Sequence, residues 1–114
     1  MLGGSWEVAT LEASAGFDWG VTYYPVSDET GAAVSPCGDW SAAITKGCEY
    51  PDEAGQFLQW LMSTDNVATY CAAVAKPATR ASAYDHESMA AYKEGPRALF
   101  VEQLQNTAVP RPRS

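Results

Sequence analysis

The two halves of this chain favour different secondary structures. Residues 1–50 are rich in β-branched and aromatic side chains, whereas the second half is rich in Ala, Gln and Glu. β-Branched and aromatic residues fit a pleated strand, while Ala, Gln and Glu are good helix formers. This order predicts strands first and helices afterwards, in a chain of 114 residues that suffices for one domain.

Three segments of the first half have strand character. Residues 5–10 predict a short strand, or a strand that runs into a turn of helix. Residues 19–24 predict a second strand, closed by Pro25, and residues 39–45 predict a third. Three strands leave two outer edges open, and natural sheets usually cover such edges. We therefore expect a fragment of a larger fold, or a chain that pairs with another.

About four helices are predicted in the second half. The first covers residues 51–63, because Pro51 suits a first turn and the acids that follow it favour the positive end of the helix dipole. The others are expected between Ser63 and Pro77, at residues 88–93 and from about Pro96 onward. Apolar residues at helical spacing predict the core. These residues are Phe57, Leu58, Leu61, Val67, Val74, Val101 and Leu104.

The charge of the chain narrows the choice of partners. The formal net charge is -7, and the seven Lys and Arg residues are scattered rather than clustered. Nucleic acids and anionic membranes need clustered positive charge, so neither is an expected partner. A neutral ligand such as a sugar is compatible with this charge. The chain contains no apolar run of transmembrane length and no recognisable signal sequence.

No catalytic or metal-binding motif stands out. His86 is the only histidine, and no pair of cysteines has the spacing of a zinc site. Nucleophile elbows and phosphate-binding loops are also missing, so we expect no enzyme activity, cofactor or metal. The three cysteines are expected to be free and partly buried, although a bridge between Cys48 and Cys71 stays open.

Aromatic residues beside glycines are the remaining candidates for ligand contacts. They occur at residues 4–6, where Gly4 precedes Trp6 by two positions, and at residues 36–40, where Gly38 and Asp39 precede Trp40. Glycine lets the backbone approach a ligand closely, and an indole offers a flat apolar face. The alternative is that these tryptophans belong to the core.

Six segments, spread in order through nearly the whole chain, together form a recognisable pattern. They are GSW at residues 4–6, FDWGVTYYP at 17–25, PCGDWSAAI at 36–44, PDEAGQFLQWL at 51–61, KPATRASAY at 76–84, and FVEQL at 100–104 with the Arg-Pro at 111–112. In these segments the chain resembles the family 1 extracellular solute-binding proteins, the maltose-binding-protein-like sugar receptors of ABC importers. No single segment is very specific, so the ordered set carries the assignment.

The resemblance implies a fold class and a domain organisation. It predicts an α+β fragment of a two-lobe, periplasmic-binding-protein-like (type II) α/β fold, with three short strands followed by about four helices. Residues 1–107 would form the C-terminal part of a solute-binding protein, and residues 108–114 an extended tail.

The resemblance also implies a function and a site. The chain would bind a sugar or oligosaccharide through Trp6, Gly38, Asp39, Trp40 and Arg80, for uptake by membrane permease subunits of an ABC importer. The family more often has a second glycine where this sequence has Cys37 or Asp39, and Asp39 would instead offer its carboxylate to ligand hydroxyls. The expected location is extracellular or periplasmic, or on the cell surface as a lipoprotein. The alternatives are a domain that self-associates without ligand and, with less support, a small glycoside-active enzyme.

Overall fold

The computed structural model describes residues 2–110. Helix α1 spans Glu7–Ser14, strand β1 Ser35–Cys37, α2 Pro51–Leu61, α3 Thr64–Ala73, α4 Gly95–Asn106 and β2 Ala108–Pro110, with two 3-10 helices at Ala81–Asp85 and Glu87–Tyr92 between α3 and α4. None of the helices in this part of the chain has the length and apolar character that a membrane crossing requires.

The helices of the second half follow the sequence prediction. Helix α2 begins at Pro51 and carries Asp52 and Glu53 in its first turn, as expected from proline geometry and the helix dipole. Helix α3 begins after Ser63, and α4 places proline in its first turn. The helix predicted at residues 88–93 is instead a 3-10 helix, Glu87–Tyr92.

The predicted strands are wrong in position. Residues 5–10 enter α1, and residues 19–24 and 39–45 have no regular structure. A strand needs a neighbour to satisfy its backbone groups, and neither segment pairs with one. Residues 19–23 nevertheless keep the alternation of burial that is typical of a strand. Trp19, Val21 and Tyr23 are half-buried, while Gly20 and Thr22 are exposed.

The only sheet in residues 2–110 joins two segments that are distant along the chain. Strands β1 and β2 pair in parallel, with Ser35 opposite Ala108 and Cys37 opposite Pro110. Part of the predicted extended tail is therefore a paired strand, and residues 111–114 lie outside the described range. Parallel pairing requires a long crossover, which here contains α2, α3 and α4.

The core lies between α3, the two 3-10 helices and α4. Its buried residues are Val67, Ala68, Cys71, Ala78, Ala83, Met89 and Tyr92, with Val101 packed against them. Several are alanines, which let neighbouring backbones approach closely. Burial raises the pKa of the Cys71 thiol and raises that of Tyr84, beside the core, to about 12.

The predicted core is correct for Val67 and wrong for Phe57. Phe57 is 56% exposed, and α2 contains no buried residue because its main contact is with α3 alone. The other five predicted core residues are half-buried: Leu58, Leu61, Val74, Val101 and Leu104. The Cα radius of gyration is 16.8 Å, above the roughly 13 Å of a compact domain of about 100 residues, so much apolar surface stays outside the core.

Candidate ligand-binding site

A cleft of about 430 Å³ brings together distant parts of the chain, and we call it the Trp6 cleft. The segment before α1, the residues around β1, the turn after α3 and one face of α4 form its walls. The lining residues that give it chemical character are the aromatic residues Trp6, Tyr24 and Phe100, together with Gly38 and the charged residues Asp39 and Lys76. Its size lies within the range of small-molecule sites in proteins.

Trp6 occupies the cleft wall immediately before α1. Its indole lies over Gly4 so closely that a Cβ atom at residue 4 would overlap the ring. The indole Nε1 donates a hydrogen bond to Glu7 Oε1 at 3.0 Å, which satisfies its polar group. The side chain stays 55% exposed, so it presents apolar ring surface to the cleft. Gly4 is therefore required for this ring position, whereas the sequence pattern predicted that glycine lets the backbone approach a ligand.

Helix α1 is held against α4 by a charged contact. Arg97 Nη2 donates to Glu12 Oε2 at 2.5 Å, and the guanidinium lies 5.6 Å from the centre of the Tyr92 ring. This contact joins the helix that follows Trp6 to the core. Because Arg97 is mostly buried, the contact orients α1 more firmly than a fully solvated ion pair would.

The turn after α3 positions Lys76. Lys76 N donates to Cys71 O and Ala75 N to Ala72 O, which is the hydrogen-bond pattern of a Schellman motif. Ala75 takes the left-handed conformation at φ 53°, where glycine is usual. The chain thereby reverses at the helix end and directs Lys76 and Pro77 into the cleft wall.

Asp39 and Lys76 form an ion pair in the cleft. Lys76 Nζ donates to Asp39 Oδ1 at 2.7 Å, and the backbone N–H of Trp40 donates to the same oxygen at 2.7 Å. Oδ2 has no hydrogen-bond partner within residues 2–110. The bond from Lys76 holds the pKa of Asp39 below its ordinary value and raises the pKa of Lys76. An ionised carboxylate with a free oxygen can accept a hydrogen bond from a ligand hydroxyl.

The ion pair predicts a pH-dependent stability. Asp39→Asn should lower the melting temperature at about pH 7 and have less effect at about pH 3. A carboxyl group whose pKa is lowered by folding stabilises above its unfolded pKa, near 4, and loses that contribution as the pH falls through the lower folded value. Thermal unfolding followed by circular dichroism tests this, with the exposed Asp28→Asn as the control. An effect of Asp39→Asn that is equal at both pH values would contradict the prediction.

The five predicted site residues separate into two groups. Trp6, Gly38 and Asp39 line the Trp6 cleft together. Trp40 and Arg80 do not line it: Trp40 is 90% exposed, and Arg80 is an exposed residue immediately before the first 3-10 helix. The structure thus brings three of the five residues together, and a ligand role for the other two stays a prediction.

A second cavity adjoins the first, and we call it the Trp19 cavity. It has a volume of about 530 Å³ and lies between residues 17–25, α1 and α4. Gln103 lines both cavities and is only 7% exposed. The apolar spacing of α4 does not identify Gln103, because that pattern concerns apolar side chains alone. The sequence did contain a signal for it: Gln103 lies three positions after Phe100, and residues at this spacing share one face of a helix.

The side chain of His86, the only histidine of the chain, has a structural role. His86 Nδ1 accepts a hydrogen bond from Ser88 N at 3.2 Å and so caps the second 3-10 helix. No group of three or more His, Cys, Asp or Glu residues within positions 2–110 could hold a metal ion. The cysteines are free, with Cys71 buried and the other two half-buried.

Comparison with known proteins places the chain in one family. A family model described as a bacterial extracellular solute-binding protein matches residues 1–97. The matched range contains all five predicted site residues and ends just inside α4, before Phe100 and Gln103. No curated protein and no solved structure matches the chain significantly.

Proposed function

Because the chain belongs to the bacterial extracellular solute-binding proteins, we propose that it forms part of the carbohydrate-binding cleft of an ABC importer's substrate-binding component. The observation that carries the proposal is the Trp6 cleft, in which an exposed indole lies near a carboxylate with a free oxygen. A sugar ring has apolar C–H faces and hydroxyl edges, and these two groups complement both.

The polar wall of the cleft suits a neutral ligand. Lys76 neutralises Asp39, so the pair contributes hydrogen-bonding groups without net charge. Gly38 beside Asp39 has no side chain to obstruct a close approach. We keep Trp40 and Arg80 as proposed contacts to parts of the ligand outside the cleft. An indole that is 90% exposed leaves a large apolar surface in water, which ligand contact would cover.

The fold is compatible with this role. Parallel pairing of β1 and β2 across a helical crossover is the connection typical of α/β folds. We therefore propose that the chain is part of one lobe of a type II, two-lobe protein, which closes over its ligand and delivers it to membrane permease subunits. A lipoprotein anchor on the cell surface belongs to the same proposal.

Glycoside hydrolysis is less well supported. That reaction generally requires two carboxyl groups on either side of one scissile bond. Among the described residues, Asp39 is the only acid that lines the Trp6 cleft, and Glu7 is the only one that lines the Trp19 cavity. Asp39 is already paired with Lys76, which favours a binding role over acid catalysis.

Calorimetric titration of the chain tests the proposed function. We expect saturable binding of a neutral sugar from a panel of glucose, maltose, cellobiose and maltotriose, with no turnover of the glycosides. Glutamate and citrate serve as charged comparison solutes and should bind more weakly. Binding of a charged solute alone would overturn the carbohydrate assignment and leave the family assignment intact.

Exposed aromatic rings on α2 favour a second candidate function, self-association. Phe57 and Trp60 lie on this helix with ring centres 5.9 Å apart, and Trp60 is 61% exposed. Two such rings outside the core form an apolar surface of the kind found at interfaces. This candidate predicts a stable dimer, which Trp60→Ser dissociates, and it predicts no sugar binding. Sedimentation velocity measures the first outcome, and the calorimetric titration measures the second.

A further inference from the structure

Gln103 is a buried polar residue whose side chain has no hydrogen-bond partner in the part of the chain that the structure describes. Its backbone carbonyl accepts hydrogen bonds from Thr107 N at 2.9 Å and from Thr107 Oγ1 at 3.2 Å. Its side-chain amide has no hydrogen bond within residues 2–110, although the residue is only 7% exposed. Buried amides nearly always have a partner, because leaving one unpaired costs free energy. A missing partner here points to a ligand.

The amide of Gln103 is accessible from the cavities. Among the described residues, only Arg97 Nε is a fully enclosed side-chain polar atom without a partner. The Gln103 amide therefore keeps some contact with open space, and both adjoining spaces are cavities that it lines. A small molecule in either cavity can reach it.

The two cavities share one wall. Gln103 and Phe100 of α4 line both, as do Tyr24 and the segment of residues 2–4. Each cavity also has an aromatic residue of its own, Trp6 in one and Trp19 in the other. The arrangement is two apolar surfaces with a polar amide at the boundary between them.

We propose that the Trp6 cleft and the Trp19 cavity are two subsites of one elongated site, and that the Gln103 amide binds the ligand at their junction. This inference rests on the proposed function. An amide offers an acceptor oxygen and two N–H donors, which match adjacent hydroxyl groups that both donate and accept. The ligand class is therefore a neutral polyhydroxylated molecule with at least two rings, one in each subsite.

Gln103→Met tests the role of the amide, since methionine is of similar size and has no strong hydrogen-bonding group. Against maltotriose, we expect roughly tenfold weaker binding, the equivalent of about 1.4 kcal/mol. Gln105→Met is the matched control, because Gln105 is exposed on the same helix and lines neither cavity. Unchanged maltotriose affinity in a folded Gln103→Met protein would overturn the inference.

Val21→Trp tests the second subsite independently of Gln103. Val21 lines the Trp19 cavity and not the Trp6 cleft, so a larger side chain there should reduce its volume. We expect weaker maltotriose binding and unchanged glucose binding. Equal affinity of the wild-type protein for glucose and maltotriose, or equal losses for both in Val21→Trp, would contradict an elongated site. If the wild-type protein binds no sugar at all, the proposed function itself fails and this inference fails with it.

Discussion

Met89→Ala is expected to lower the free energy of unfolding by about 2–5 kcal/mol. Met89 is the largest fully buried side chain among the described residues, and it lies within the cluster that joins α3 to the 3-10 helices. Its removal deletes buried apolar surface and leaves a cavity that the neighbours fill only in part. Small domains have about 5–15 kcal/mol of stability in total, so this change would remove a large share. Urea unfolding followed by circular dichroism measures the effect.

Met62→Ala is the matched control for this experiment. The residue type and the substitution are the same, but Met62 is exposed at the end of α2. We expect a change within about 0.5 kcal/mol, as for most surface substitutions. Met89→Leu should cost less than about 1.5 kcal/mol because it conserves volume. Equal losses at positions 89 and 62 would show that the core is not where the structure places it.

Trp6→Ala is expected to weaken sugar binding roughly tenfold or more, about 1.4 kcal/mol. The indole is the largest aromatic side chain that lines the Trp6 cleft, and its ring is already held by the contact with Gly4 and by the hydrogen bond to Glu7. A ring that is already held in place loses little conformational entropy when a ligand binds. Its removal therefore takes away favourable contact with the ligand and saves almost no entropic cost. Titration calorimetry with the best-binding sugar of the panel measures the change.

Trp60→Ala provides the matched control for Trp6→Ala. Both tryptophans are similarly exposed, but Trp60 lies on α2 and lines neither cavity. The sugar affinity of Trp60→Ala should equal that of the wild-type protein. Both variants should keep their far-UV circular dichroism, because neither residue belongs to the core. Wild-type affinity in a folded Trp6→Ala protein would remove the Trp6 cleft from the proposed function.

The candidate site was predictable in part from local sequence. Glycine beside tryptophan marked residues 4–6 and 36–40 as candidates, and Trp6, Gly38 and Asp39 do line one cleft. The position of the Trp6 ring over Gly4 was not predicted, since glycine was expected to let the backbone approach a ligand. The partner of Asp39 was not predictable, because Lys76 lies far along the chain and reaches it only through the Schellman motif after α3. Gln103 was missed for a similar reason. Its significance depends on two cavities that exist only after α1 and residues 17–25 lie against α4.

The sequence by itself determined the family and three of the helices, α2, α3 and α4. Proline position, acidic first turns and apolar spacing act within one or two turns of chain, so α2, α3 and α4 could be located without a fold. Tertiary structure decided which apolar faces are buried and which extended segments become strands. Both outcomes depend on distant partners: α2 packs mainly against α3, and β1 forms because β2 returns to its side. Residues 19–24 and 39–45 have strand composition but no neighbour to receive their hydrogen bonds, so they are not strands.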